Sequence, residues 1–308
     1  MTSYPTPHQD KLLALLNNHK LPSDDKYKIE QALKFYQKWI EVLNRVIANN
    51  YSREKSLKLL VKLLNIYKLY IEVNVIFDST NNFLYRQKGQ LKLDNTILEE
   101  FLPRLLGSNL ISELENLEVD LGPMQCFSSV YFQSSLDVSG IGGGMRIRTK
   151  NQDFAISKPL YLKSSHSLNF EQEVVAKTNL AYLVVECKTN LDKTMFQEGC
   201  ATARDLKSAV PGAKYYLLCE WLDMTPISTA PTNIDQVIIL RKAKRISSHI
   251  RKEFSTFPGR QKNREFYLKY LKSNPLRVEM FERLIYNIRS LLNPESPSEE
   301  DVLSLGYF

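Results

Sequence analysis

The stretch from 181 to 194, AYLVVECKTNLDKT, constrains this chain more than any other. Leu183, Val184 and Val185 form an apolar, β-branched run of the kind that predicts a buried strand, and it carries straight into Glu186, Cys187 and Lys188. A charge taken out of water must be paired or must bind something. Residues i and i+2 of a strand share a face, so Glu186 and Lys188 project together. Cys187 turns the other way, into the fold, where a free thiol packs like a small hydrophobe. Two readings follow: a Glu–Lys ion pair at a sheet edge, or the charged part of a reactive site.

The surroundings favour a sheet. Strands are expected over MRIRT, DFAISK, AYLVVECKT, KYYLLCEWL and QVIILRKA, with a helix over TMFQEGCATARDLKSAV that Pro211 and Gly212 stop. Strands alternating with a helix predict an α/β fold with a mixed sheet. Residues 1–107 read as a helical N-terminal region. Apolar positions from Ile29 through Leu33, Tyr36, Ile40, Leu43 and Ile47 recur at three and four. Ser23 with Asp24 and Asp25 is expected to cap that helix, and Asn49 and Asn50 to end it. A second helix is expected from Ser52 to about Phe77, and a shorter one over NTILEEFLPRLL. Residues 108–245 hold the α/β core. Residues 246–308 return to helices, over RISSHIRKEF and LRVEMFERLIYNIRSLL, before the Pro/Ser/acid-rich tail NPESPSEED, read as loose. The glycine run SGIGGG does not match a phosphate-binding loop; a hairpin or bulge feeding MRIRTK is the role it predicts.

Asp153, in NQDFAISK, opens a strand that a neighbour can bring beside Glu186. Two carboxylates and the main-chain carbonyl of Cys187 make a hard oxygen site suited to Mg²⁺. Such an ion acidifies a bound water and polarises a phosphoryl oxygen, and Lys188 can stabilise the charge that builds on the phosphate. Asp153 with Glu186-Cys187-Lys188 resembles the PD-(D/E)xK nuclease signature, with Gln152 where the motif has proline. The longer string ECKTNLDKTMFQE resembles the type II restriction endonucleases grouped with the heterodimeric enzyme that cuts CCTNAGC. The resemblance spans about Gly122 to Asp223. It implies a restriction-endonuclease-like core with helical N- and C-terminal regions, Asp153 and Glu186 as Mg²⁺ ligands, and Lys188 as the third catalytic member. A further acid from the preceding region, Glu113, Glu118 or Asp120, is open as a metal ligand. Asp192 and Lys193 are candidate phosphate contacts or simply a turn into the helix.

The net charge of +7 is unevenly placed. Between Arg241 and Lys272 eleven Lys or Arg face two acids, Glu253 and Glu265, and aromatics interleave with them. That is an electrostatic footprint for nucleic acid. The DNA contacts expected are Arg146, Arg148, Lys193, Arg241, Lys244, Arg245, Arg251, Arg260, Lys262 and Arg264. The four cysteines form no C-x-x-C pair and the four histidines lie at no metal-ligand spacing, which argues against structural zinc and for a reducing cytoplasm. No stretch reaches the roughly 18 uncharged apolar residues of a membrane span.

The reading that results is a Mg²⁺-dependent type II restriction endonuclease acting on double-stranded DNA. One chain carries one site, so cutting a duplex calls for a homodimer or a heterodimer with a related subunit. The alternatives are a structure-specific repair or recombination nuclease of the same fold, and a DNA-binding module whose Glu-x-Lys is structural.

Overall fold

Five strands form one mixed sheet in the order β1-β2-β3-β4-β5: β1 Asp120–Phe132, β2 Met145–Ser164, β3 Val174–Leu191, β4 Lys214–Leu222 and β5 Gln236–Ile239. The computed structural model describes residues 4–49, 51–106, 110–114, 117–136, 140–292 and 298–306. Asn50, Ser139 and residues 293–297 of the acidic tail lie outside the described residues. β1, β2 and β3 pair antiparallel, and β3, β4 and β5 pair parallel. The two expected strands MRIRT and DFAISK are one continuous β2. β1 was not among the expected strands; Gly122 and Pro123 interrupt its pattern, and the ladder breaks register between Gly122 and Met124.

Helices α1 Pro7–Leu16, α2 Ser23–Ala48, α3 Arg53–Tyr70, α4 Phe83–Leu91 and α5 Asn95–Leu105 precede the sheet. α2 begins at Ser23 itself, with Pro22 before it and no side-chain cap. Asp25 is buried and accepts from Ser79 Oγ at 2.9 Å. Ser52 does cap α3, accepting from the Lys55 N–H. α3 runs into a π-helical turn, Ile71–Phe77, so the expected single helix to Phe77 widens at its end. α6 Lys193–Ala209 links β3 to β4. α7 Ser248–Glu253, α8 Phe257–Lys262, α9 Arg264–Ser273, α10 Val278–Leu292 and α11 Glu299–Leu305 follow β5. No helix among the described residues is long and apolar enough to cross a membrane.

The Leu183–Val185 stretch of β3 is buried on both faces, which is why it reads as an unbroken apolar run. Leu183, Val185 and Cys187 face one hydrophobic core shared with the N-terminal helices and α10. Ala181 and Val184 face a second core under α6. Gly199 of α6 sits so close to β4 that a Cβ there would meet Leu217 Cδ1 at 2.8 Å. The β2–β3 ladder carries a bulge: Ile156 pairs with Leu183 and Ser157 with Ala181, leaving Tyr182 as the extra residue. The glycine run forms the turn between β1 and β2. Gly142 has φ 56° and lies so near the Ser164 carbonyl that a Cβ would stand 2.4 Å from it, so the turn fits only with glycine there.

Candidate active site

The β2–β3 ladder ends at the pair Phe154↔Val185. Beyond it β3 continues alongside β4 alone, and the sheet opens into a fork. Asp153 and Glu186 are the first residues past the last pair, one on each prong. The Cys187 N–H has lost its ladder partner there, and Asp153 Oδ2 takes it at 3.0 Å. The second Asp153 oxygen lies 3.5 Å from Lys92 Nζ.

A third carboxylate enters from α5. Glu99 is buried, and its Oε1 stands 3.9 Å from Lys92 Nζ without accepting a hydrogen bond. Burial, followed by the negative charge of Asp153, pushes its pKa up to about 7. The start of α5 is fastened to β3: Asn95 Nδ2 approaches the Cys187 carbonyl at 3.5 Å, and Thr189 Oγ1 donates to Asn95 Oδ1 at 2.8 Å. The neighbouring Glu100 faces away and is consumed by the fold. It accepts from the His8 N–H at 3.0 Å and from the Tyr36 hydroxyl, and pairs with Arg104 at 3.5 Å.

Across β3, Glu186 and Lys188 share a face as strand geometry demands. Glu186 Oε1 pairs with Lys188 Nζ at 2.7 Å, and the Tyr215 hydroxyl donates to Glu186 Oε2. Burial alone would lower the Lys188 pKa, but the charge and hydrogen bond of Glu186, with Asp153 behind it, raise it, so Lys188 is cationic. Glu198 of α6 stands 3.8 Å from the same ammonium. Burial raises the Tyr215 pKa, reinforced by Glu186, so this phenol is a fixed donor.

Among the described residues no three His, Cys, Asp or Glu side chains form a ready-made metal cluster, because Glu186 is turned onto Lys188 and Tyr215. The donor set nonetheless fits a hard cation. Glu99 and Asp153 crowd two carboxyl groups together, and one buried oxygen of Glu99 has no donor. The Cys187 carbonyl edges the same space. The Cys187 thiol is excluded: it is buried in the core and burial holds its pKa well above the ordinary range, so it stays a neutral thiol. Glu99, which is not among the upstream acids expected to join, is the one that stands beside Asp153. Glu113 pairs with Arg289 at 3.3 Å, and Glu118 and Asp120 line a separate groove with Lys158.

The basic stretch from Arg241 to Lys272 does not form a uniform DNA-facing surface. Arg241 is 4% exposed and pairs with Glu72 at 2.8 Å and Glu220 at 2.9 Å. Arg260 is fully buried and donates to the carbonyls of Phe77, Phe254 and Ser79. Neither can meet a phosphate, which corrects the expectation for both. Arg264 pairs with Asp78 at 2.9 Å, and Phe254 and Tyr267 of the interleaved aromatics pack against Phe77. Arg146, Arg148, Lys193, Lys244 and Lys262 are exposed. Arg245 and Arg251 are half-buried and share Asp223, at 2.9 and 3.4 Å.

A family model described as Bpu10I restriction endonuclease matches residues 90–308, a span that holds Glu99, Asp153, Glu186 and Lys188. No curated protein matches the chain. Among solved structures, one titled native BbvCI A2B2 tetramer at low resolution superposes with a TM-score of 0.60 at 20% identity, covering 88% of this chain and 98% of that one. At that identity the likeness concerns the fold.

Proposed function

The chain belongs to the Bpu10I restriction endonuclease family, and from that membership we propose that it hydrolyses phosphodiester bonds of double-stranded DNA at a specific sequence with Mg²⁺. The observation that carries the reading is the fork. Asp153 and Glu186 stand at the mouth where two strands part, Glu99 crowds Asp153 from α5, and the motif's Lys188 pairs with Glu186 beside them.

Asp153, Glu99 and the Cys187 carbonyl would hold the ion, joined by Glu186. When bound, Mg²⁺ supplies Lewis-acid polarisation of a phosphoryl oxygen and acidification of a water. The protein does the rest. Lys188 stays protonated and sets a positive charge where negative charge develops on the phosphate. Tyr215 fixes the rotamer of Glu186 from the neighbouring strand. Glu99, whose pKa burial and Asp153 raise, holds a proton beside Asp153 that it would give up to a bound cation. Exposed Arg146, Arg148, Lys193, Lys244 and Lys262 are positioned to track the DNA backbone. One chain contributes one such site, so cutting both strands takes a second copy or a related subunit.

The test is a plasmid digest with and without Mg²⁺. Defined fragments in Mg²⁺ and none in EDTA support the reading. Retardation without products, or a smear without discrete ends, would overturn it.

A further inference from the structure

A pocket separate from the catalytic carboxylates shares a wall with the fork. Thr189, the residue after Lys188, lines it, together with Asp94 at the start of α5. Its cations come from three places in the chain: Lys88 of α4, Arg245 after β5, and Arg251 of α7. Tyr85, Trp221 and Tyr270 supply aromatic walls.

The charges in this pocket do not cancel. Arg245 and Arg251 share the single carboxylate of Asp223. Asp94 accepts from the Asn95 N–H at 3.1 Å, and the Thr189 hydroxyl, shared with Asn95 Oδ1, stands 3.3 Å from its other oxygen. Glu72, which also lines the pocket, is neutralised by Arg241 and Lys68. Lys88 rests its ammonium over the Tyr85 ring at 4.6 Å, and among the described residues it makes no ion pair or hydrogen bond. Three cations against Asp223 and Asp94 leave one positive charge over. Burial lowers the Lys88 pKa, Asp94 and Glu72 offset part of that from a distance, and no carboxylate closes on the half-buried ammonium.

We propose that this pocket receives one phosphodiester of the DNA strand beside the catalytic fork, with Lys88, Arg245 and Arg251 as its ligands. A phosphodiester carries the single negative charge the pocket lacks, and the aromatic rings suit the adjoining sugar. The inference rests on the DNA-cleaving reading above and adds a substrate subsite to it.

The test compares wild type, Lys88→Gln, Lys88→Arg and, as a control, Lys55→Gln at an exposed position of α3. Duplex binding is measured by fluorescence anisotropy in EDTA across a salt series, and thermal melting without DNA. Lys88→Gln should melt no lower than wild type, because it removes an unpaired cation. It should bind DNA several-fold more weakly, with the slope of log K against log salt reduced by about 0.9. Lys88→Arg should recover the slope, and Lys55→Gln should match wild type. Wild-type affinity and slope in Lys88→Gln, a loss that Lys88→Arg does not restore, or a lowered melting temperature with unchanged binding would each overturn the pocket. Wild-type protein that fails to bind DNA at low salt would sink the DNA-cleaving reading itself.

Discussion

Two neighbouring strands of this sheet each carry a glutamate after an apolar run, and the two glutamates have opposite fates. β3 runs apolar into Glu186 and β4 runs apolar into Glu220. Glu220 is fully buried, paired with Lys68 at 2.5 Å and with Arg241 at 2.9 Å, while Glu72 completes a quartet of two cations and two carboxylates. At the fork, Asp153, Glu99 and Glu186 outnumber Lys92 and Lys188. A carboxylate in a dry place is therefore no mark of chemistry by itself. What separates the two regions is whether the charges close among themselves.

Substitutions at the two glutamates should break the molecule in different ways. Glu186→Gln or Asp153→Asn should abolish cleavage in Mg²⁺ while duplex binding in EDTA and the melting temperature stay near wild type. Glu220→Ala should instead strand Lys68 and Arg241, costing roughly 3–5 kcal/mol of folding stability, read by urea titration. Near-wild-type cutting by either fork variant would erase the distinction.

Lys188→Ala comes next in size. Losing a donor to developing charge should cost about 3 kcal/mol, or roughly a hundredfold in single-turnover rate, with metal binding by calorimetry retained. An unchanged rate would return Glu186 and Lys188 to an ordinary ion pair.

Glu99 offers a sharper contrast because its sign can be worked out. Its pKa is raised from 4.5 to about 7 in the folded protein. The native state thus holds a proton that the unfolded chain has released between those values. Stability from this group is present below about pH 4.5 and lost as pH rises through about 7. Glu99→Gln should raise the metal-free melting temperature at pH 8, leave it nearly unchanged at pH 4, and move the Mg²⁺ midpoint upward. A drop in melting temperature at pH 8 would mean that Glu99 belongs to a closed set like that of Glu220.

The smallest effect is expected at Tyr215. Tyr215→Phe leaves Glu186 to Lys188 alone, so Mg²⁺ affinity by calorimetry should change several-fold with the fold intact. Affinity equal to wild type would confine Tyr215 to packing.

Much of the sheet is legible in sequence because β4 and the Leu183–Val185 stretch of β3 are buried on both faces and show it as apolar runs. β1 escapes because Gly122 and Pro123 disguise thirteen residues of strand. Asp153, Glu186, Cys187 and Lys188 are visible as a motif, and the strands bring the first two to the mouth of one fork. Glu99 hides in a helix whose side chains are all buried, ILEEFLPRLL, where the pair Glu99–Glu100 is the one available hint. The charge run after Arg241 misleads for a different reason. Its partners, Glu72, Asp78, Glu220 and Asp223, are supplied by other parts of the chain, so a count along the stretch sees cations and not their neutralisation.

The bulge at Tyr182 decides which residue reaches the mouth of the fork. Pairing on its hairpin side, Ser157 with Ala181, would if continued set Asp153 opposite Val185. The one extra residue advances β3 by a step, and Glu186 arrives opposite Asp153 instead. It also exchanges the faces of everything after it, which is why Ala181 and Leu183 enter different cores. Tyr182 thus acts as a phase shifter whose backbone matters more than its ring. Replacing the side chain preserves the alignment of the fork and the apolar positions, whereas deleting the residue moves both out of step at once.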